Sequence, residues 1–361
     1  MLSQITVSPA PHIALGYSTR RVMLDVILSL VPAMAAGWWF FRWRAVLLIV
    51  VSVATCMAAE WVCNRMRRKP CTLGDLSAVV TGVILALSLP PAAPWWVAVV
   101  GGVFAIGVCK MAFGGLGANV FNPAMAARAF LTASFGALMT TWTVPATIGP
   151  VEIKTSISGV DSTAEYSPVT MGPIHGQNRY LDDTTVQAMT QATPLAWSKQ
   201  AIKGKTDARE VERQLKPSIV GGVGGCLGET SVIALLLGAA YLLIRRTISP
   251  HIPAAVVVSA VACASIGYLL KPAAYISPWL HLCTGGMLLG AFFIATDPVT
   301  APLTTRGRWV FGVGVGGLIM LIRMVGEYPE GVMYAVLIMN AFTPLIDRFC
   351  RLTPTGGIAR G

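Results

Sequence analysis

The stretch Ala45-Val-Leu-Leu-Ile-Val-Val-Ser-Val-Ala-Thr-Cys-Met-Ala-Ala-Glu-Trp-Val62 decides the class of fold. Only Glu60 in it is charged, and it is fenced by Arg42 and Arg44 on one side and by Arg65, Arg67, Arg68 and Lys69 on the other. A bilayer core takes roughly 20 apolar residues as a helix, and basic fences of this kind mark the membrane–water boundary. Working outward, the same alternation of apolar run and short polar connection predicts helices over 22–41, 45–62, 75–90, 94–112 and 120–140. A polar stretch follows, and then come helices over 220–244, 252–270, 280–296, 309–325 and 330–347. Composition agrees: 55% of the 361 residues are hydrophobic and 12% charged, against about 25% charged in an ordinary soluble domain. The expected fold is an all-α polytopic membrane protein of about ten transmembrane helices.

The charges orient it. With the N-terminus in the cytoplasm, Arg20, Arg21, Arg65, Arg67, Arg68, Lys69, Lys110, Arg245, Arg246, Arg306, Arg308, Arg348, Arg351 and Arg360 fall inside, fourteen in all. The short connections on the other side hold four, Arg42, Arg44, Lys271 and Arg323, beside the acidic Glu327 and Glu330. This bias is the positive-inside pattern, and it accounts for the net charge of +11 without nucleic acid. Residues 1–18 carry no charged stretch ahead of an apolar run, so no removable signal peptide is expected.

Residues 141–217 then form a large extracytoplasmic loop. Its 77 residues hold eight acidic and eight basic side chains, half of all the acids in the chain, and loops of that size commonly carry function. The expected organisation is a first five-helix repeat over 1–140, the loop over 141–217 and a second five-helix repeat over 218–361. The repeat is read from Trp96–Met111, ending in Lys110, and Trp309–Met324, ending in Arg323 with similar glycine spacing. Each follows a proline break, Leu89-Pro90-Pro91 or Thr296-Asp297-Pro298, and each leads through a Gly-rich turn to a helix marked by Asn122-Pro123 or by Asn340 to Pro344. Five helices per copy is an odd number, so the second copy enters the membrane inverted. Inverted repeats place binding sites near the midplane, between interrupted helices.

Several residues are candidates for chemistry. In Phe113-Gly-Gly-Leu-Gly-Ala-Asn-Val-Phe-Asn-Pro-Ala-Met-Ala-Ala-Arg-Ala-Phe130, glycines permit close backbone approach, Asn122-Pro123 starts a helix and Arg128 follows within two turns. Arg128 beside helix amides suits an anion, or it pairs with Asp75, Asp297 or a carbonyl. Asp297, at a helix break, is a cofactor or ion contact, or a cap. Asp25, Glu60, Asp75 and Glu229 also fall in or at the ends of expected spans. The cysteines at 56, 63, 71, 109, 226, 263, 283 and 350 form no Cys-x-x-Cys pair, and His12, His175, His251 and His281 have no metal-ligand spacing. No metal centre and no catalytic side chain are assigned. Tryptophans at 38, 39, 43, 95, 96, 142, 279 and 309 crowd helix ends, as interfacial anchors do. In the loop, Met189-Thr-Gln-Ala-Thr-Pro-Leu-Ala-Trp197 puts Thr193 before a proline, where a helix cap is the plain reading of an unactivated hydroxyl.

Three motifs in order, Phe113–Phe130, Thr190-Gln-Ala-Thr193, and Ala295-Thr-Asp-Pro-Val-Thr300 running on through Trp309 to Tyr328-Pro-Glu-Gly331, give the chain a resemblance. It resembles the D-subunit family of Rnf ion-translocating electron-transport complexes and, more distantly, the B-subunit of the sodium-translocating NADH:quinone oxidoreductase. The resemblance implies covalent FMN on Thr193, within a motif that includes Thr190 and Ala192, attached by a flavin transferase outside the cytoplasm. The inverted repeat offers a cavity with room for a second, non-covalent flavin such as riboflavin, or for an ion, with Asn122, Arg128 and Asp297 as the candidate residues. Implied partners are cytoplasmic NADH- and ferredoxin-facing iron–sulfur subunits, a second flavinylated subunit, two small membrane subunits and lipid, with no nucleic acid. The implied role is a translocase subunit of the bacterial inner membrane, not catalytic alone, relaying electrons coupled to Na+ or H+ transport. The alternative from another class is a redox-free secondary transporter, since inverted repeats and intramembrane carboxylates suit that equally.

Overall fold

A computed structural model describes residues 18–140, 198–199, 202, 212, 225–326 and 330–350. Among these, every regular element is helical. Helices α1 (Thr19–Phe41) and α2 (Trp43–Met66) form a hairpin around Arg42, which takes a positive φ of 52° while its N–H closes on Trp38 O. Helix α3 (Ser77–Leu87) follows, then α4 (Trp95–Val103), which continues as a π-helix over Phe104–Met111, and α5 (Pro123–Ser134). The second half contributes α6 (Val232–Ile244), α7 (His251–Leu270), the short α8 (Pro278–Cys283), α9 (Thr305–Met324) and α10 (Val332–Phe349).

Helices α1, α2, α7, α9 and α10 are long and apolar enough to cross a membrane. They match the expected ranges within a few residues, and the chain is a membrane protein. Large apolar side chains stand exposed on their outer faces, among them Leu24, Val50, Val258 and Val313. Trp38, Trp39, Trp43, Trp95 and Trp279 are more than half exposed at helix ends, where interfacial anchors sit.

Two of the remaining expected helices are interrupted, and each of these interruptions has a physical cause. The helix expected over 220–244 starts at Val232, where Ser231 Oγ accepts from Ala234 N. Gly225–Ser231 instead runs irregularly against the end of α3, with Gly228 N donating to Leu87 O at 2.7 Å and Leu227 N to Leu89 O at 3.1 Å. A helix end inside a bilayer must have its carbonyls satisfied by protein, and this segment does so for α3. Gly228 permits the approach, because a Cβ there would lie 2.8 Å from Leu87 Cβ. The helix expected over 280–296 breaks at Thr284-Gly285-Gly286, with φ of 65° at Gly285. Arg323 closes this gap by donating to His281 O at 2.6 Å and Thr284 O at 3.0 Å. Arg323 is 2% exposed, so it is a buried clamp and not the loop charge read from sequence.

Helices α7 and α9 form the most extensive helix pair. Gly312 and Gly316, one turn apart on α9, let the backbones meet: a Cβ on Gly316 would lie 2.1 Å from Ser259 Oγ and 2.4 Å from Val256 O. Small residues four apart are the usual device for close helix crossings in membranes. Gly316→Val is therefore expected to lower thermal stability in detergent by at least about 1–3 kcal/mol, the cost of overpacking. Gly317→Val, with nothing within 4 Å of its Cβ, is expected to be close to neutral, and equal melting of the two variants would contradict the packing argument.

Candidate functional site

Two buried polar regions lie between the halves. The first begins at the N-terminus of α5, where Asn122 Oδ1 caps the helix by accepting from Ala124 N at 3.1 Å and Met125 N at 3.2 Å. Its Nδ2 points the other way and donates to Asp297 Oδ2 at 3.3 Å, joining positions 175 residues apart. Asp297 holds its own break in shape, accepting from Val299 N at 3.1 Å and from Thr300 Oγ1 at 3.3 Å. Thr343 on α10 ties the same loop down by donating to Thr300 O. Leading into Asn122, Gly114, Gly115 and Gly117 take φ of 133°, 113° and 91°, which side chains other than glycine rarely adopt.

Asn122 and Asp297 line a cavity that is partly open to the surface. Its walls come from both halves: Ser77, Thr81, Lys110 and Asn119 from one, Thr247 and Thr296 from the other, with Phe292, Phe293, Ile84 and Leu242 supplying apolar faces. Asn119 is 6% exposed, and its Oδ1 has no hydrogen-bond partner among the described residues. Lys110, on the π-helical stretch, is 2% exposed and donates to Glu60 Oε2 at 2.8 Å and Ser77 Oγ at 2.5 Å. It too was read from sequence as a cytoplasmic loop charge. Mostly apolar cavities with a few convergent polar groups are typical of small-molecule sites.

The second region lies about 9 Å further along α5, six residues on at about 1.5 Å each. Arg128 is buried there and pairs with Glu330 and, at 3.7 Å, with Glu229, while its Nη2 lies 3.1 Å from Cys226 Sγ. These partners differ from the Asp75 and Asp297 expected from sequence. The thiol and the two carboxylates approach within 4.8 Å of one another, and the guanidinium supplies the cation between them. The structure thus brings Asn122 and Asp297 together and places Arg128 apart from them. The Thr190, Ala192 and Thr193 expectations lie outside the described residues. Sequence reasoning passed over Lys110, Asn119 and Ser77 as site residues; the signal for Asn119 was its place in the same Gly-rich turn, three positions before Asn122.

A helical membrane protein with interrupted helices from two halves closing on an internal cavity is the class that this fold and site define. The chain belongs to the NQR2, RnfD, RnfE family, whose model matches residues 6–356. The D-subunit of the ion-translocating oxidoreductase complex of Stutzerimonas stutzeri is 39% identical over 348 residues, 95% of this chain and 94% of that protein. The D-subunit of the same kind of complex from Salmonella paratyphi A is 39% identical over 97% of each chain. The D-subunit of the Na(+)-translocating ferredoxin:NAD(+) oxidoreductase complex of Acetobacterium woodii is 40% identical over 96% of this chain and 94% of that protein.

Proposed function

We propose that this chain is the FMN-carrying membrane subunit of an Rnf-type ion-translocating oxidoreductase in the bacterial inner membrane, with FMN esterified to Thr193. It relays electrons between the NADH and ferredoxin sides of the complex, coupled to Na+ or H+ transport, and is not catalytic alone. The observation that carries this reading is Thr190-Gln-Ala-Thr193, in a loop that charge bias assigns to the periplasm, within a chain about 39% identical end to end to the D-subunits of ion-translocating oxidoreductases. The burial of Lys110 and Arg323 sharpens that bias, leaving thirteen inside (fourteen less one) against three outside (four less one). The partners in this reading are the other membrane, iron–sulfur and flavinylated subunits of the complex and a flavin transferase.

The ten-helix, inverted-repeat arrangement over 1–140 and 218–361 belongs to the same proposal. Its support is a matched pair of contacts. Lys110 and Arg323 are 213 positions apart, as are Trp96 and Trp309; Ser77 and Thr284 are 207 apart, as are Pro91 and Pro298. Lys110 donates to Ser77 Oγ, and Arg323 donates to Thr284 O.

The cavity suits a second, non-covalent flavin. Its apolar faces match a planar ring, Lys110 offers a donor to a ring carbonyl, and Asn119 Oδ1, which has no partner among the described residues, offers an acceptor to an imide N–H. A flavin bound there would supply electron transfer. Asn122, Asp297 and Lys110 are the residues that would hold it, and the apolar walls would limit water. Asn122→Leu is expected to cost about 1–3 kcal/mol of flavin binding, roughly five- to 150-fold, by losing its hydrogen bonds and leaving Asp297 short of one partner. The acid-extractable flavin of the purified chain reads this directly, and an unchanged content would remove Asn122 from the site. The whole reading is tested by intact mass and in-gel fluorescence of the denatured native chain made beside the transferase. A bare chain under those conditions would favour the redox-free transporter.

A further inference from the structure

The cavity's cation is shared. Lys110 Nζ has three N–H donors, and among the described residues two are used, one on Glu60 Oε2 and one on Ser77 Oγ. The third is free at a side chain that forms part of the cavity wall. Glu60 is 1% exposed, and its other oxygen, Oε1, accepts from Thr72 Oγ1 at 2.5 Å. Thr72 is exposed in the loop between α2 and α3 and also accepts from Asn64 Nδ2 at 2.8 Å. Other charged groups nearby are already engaged: Asp75 Oδ1 accepts from Ser77 N and Oγ, and Arg67 Nη1 donates to Met111 O. A continuous hydrogen-bonded line therefore runs from an exposed hydroxyl, through a buried carboxylate, to the ammonium of Lys110, one of the residues that line the cavity. Lys110 also sits on a π-helical stretch, an irregularity that recurs at functional sites.

We propose that the Lys110–Glu60 pair couples charge in the cavity to proton uptake from the cytoplasmic face. This rests on the reading of the cavity as a flavin site. A buried ion pair is stable only while both charges are compensated. One electron reaching the cavity's occupant from an iron–sulfur or nicotinamide carrier adds one negative charge beside Lys110. The ammonium turns its hydrogen bonds toward that charge and releases Glu60 Oε2. The carboxylate is left buried and uncompensated, and it takes one proton: Thr72 Oγ1 passes its proton to Glu60 Oε1 and recovers one from water. Loss of the electron reverses each step. A proton fits here better than a sodium ion, because both oxygens of Glu60 already face hydrogen-bond donors, Thr72 Oγ1 and Lys110 Nζ, and not a shell of free oxygens.

Reduced-minus-oxidised infrared difference spectra of the full chain test this, with Thr193→Ala as background so that only non-covalent flavin is present. The expected result is a carboxylic-acid C=O band that appears on reduction and is lost with Glu60→Gln. It is also lost with Lys110→Met, which leaves no ammonium to turn from Glu60 toward the cavity. Should Lys110→Met fail to fold, Lys110→Met/Glu60→Gln removes the pair together and is expected to lack the band, while Lys110→Arg keeps the charge and the band. A band that survives Glu60→Gln, a reducible flavin with no such band, or a sodium-dependent carboxylate band in its place would each overturn the proposal. Absence of extractable flavin from the Thr193→Ala chain is a separate result: it would overturn the flavin reading of the cavity, and this inference with it.

Discussion

Thr193→Ala is expected to strip the chain of all covalent flavin, an all-or-none effect because a phosphoester needs a hydroxyl oxygen and alanine has none. Intact mass of the denatured variant, coexpressed with the transferase, should equal that of the bare polypeptide, and its gel band should lose flavin fluorescence. Thr193→Ser keeps an acceptor hydroxyl and is expected to restore part of the label. Thr190→Ala leaves the acceptor in place and is expected to lower the yield without abolishing it. A free threonine hydroxyl is a poor nucleophile without a base, so native chain made without the transferase should also be bare. Flavin that persists on Thr193→Ala would move the attachment site elsewhere. The extractable flavin expected in the cavity should be unaffected, since Asn122, Asp297 and Lys110 lie on other segments.

The long spans were legible because about twenty apolar residues in a row leave few alternatives, and α1, α2, α7, α9 and α10 stand where the runs of hydrophobic residues put them. The broken helices were not. Gly225-Cys226-Leu227-Gly228 reads as the start of an apolar helix, and what unwinds it is a pairing with Leu87 and Leu89, more than 130 positions away. No local pattern carries that information. Lys110 and Arg323 were misread for a related reason. A cation at the end of an apolar run looks the same whether it snorkels to the interface or turns inward to a partner, and their partners Glu60 and Thr284 lie 50 and 39 positions away. The joint between Asn122 and Asp297 was half legible: each precedes a proline at a helix break, which marked both as candidates, but their contact is tertiary. Arg128 was marked too, and Glu229 was noted as an intramembrane carboxylate. Glu330 was assigned to the outer surface because it follows a span, whereas it lies just ahead of α10 and pairs with Arg128.

That cluster carries the second large effect. Arg128→Met would leave Glu229 and Glu330 side by side without their guanidinium, in a site where Arg128 and Glu229 are 4% and 8% exposed. Removing one partner of a buried ionic group costs about 3–5 kcal/mol, because the remaining charge is neither hydrated nor compensated. Against the roughly 5–15 kcal/mol that holds a typical domain together, this should appear as a sharply lower melting temperature in detergent and a poor yield. Arg128→Lys retains a point charge but not the planar fork that reaches both carboxylates, so an intermediate loss is expected. The discriminating variant is Arg128→Met/Glu229→Gln/Glu330→Gln. If the cluster is an electrostatic unit, neutralising all three groups should recover most of the stability lost by Arg128→Met alone, a non-additivity that side-chain volume does not explain. A triple variant no better than the single one would mean that Arg128 holds α5 to the second half by its packing and its contact with Cys226, and that the two carboxylates are bystanders. A triple variant that is stable but transports no ions would instead make the charges part of the ion path, since stability and transport would then have been separated at the same three residues.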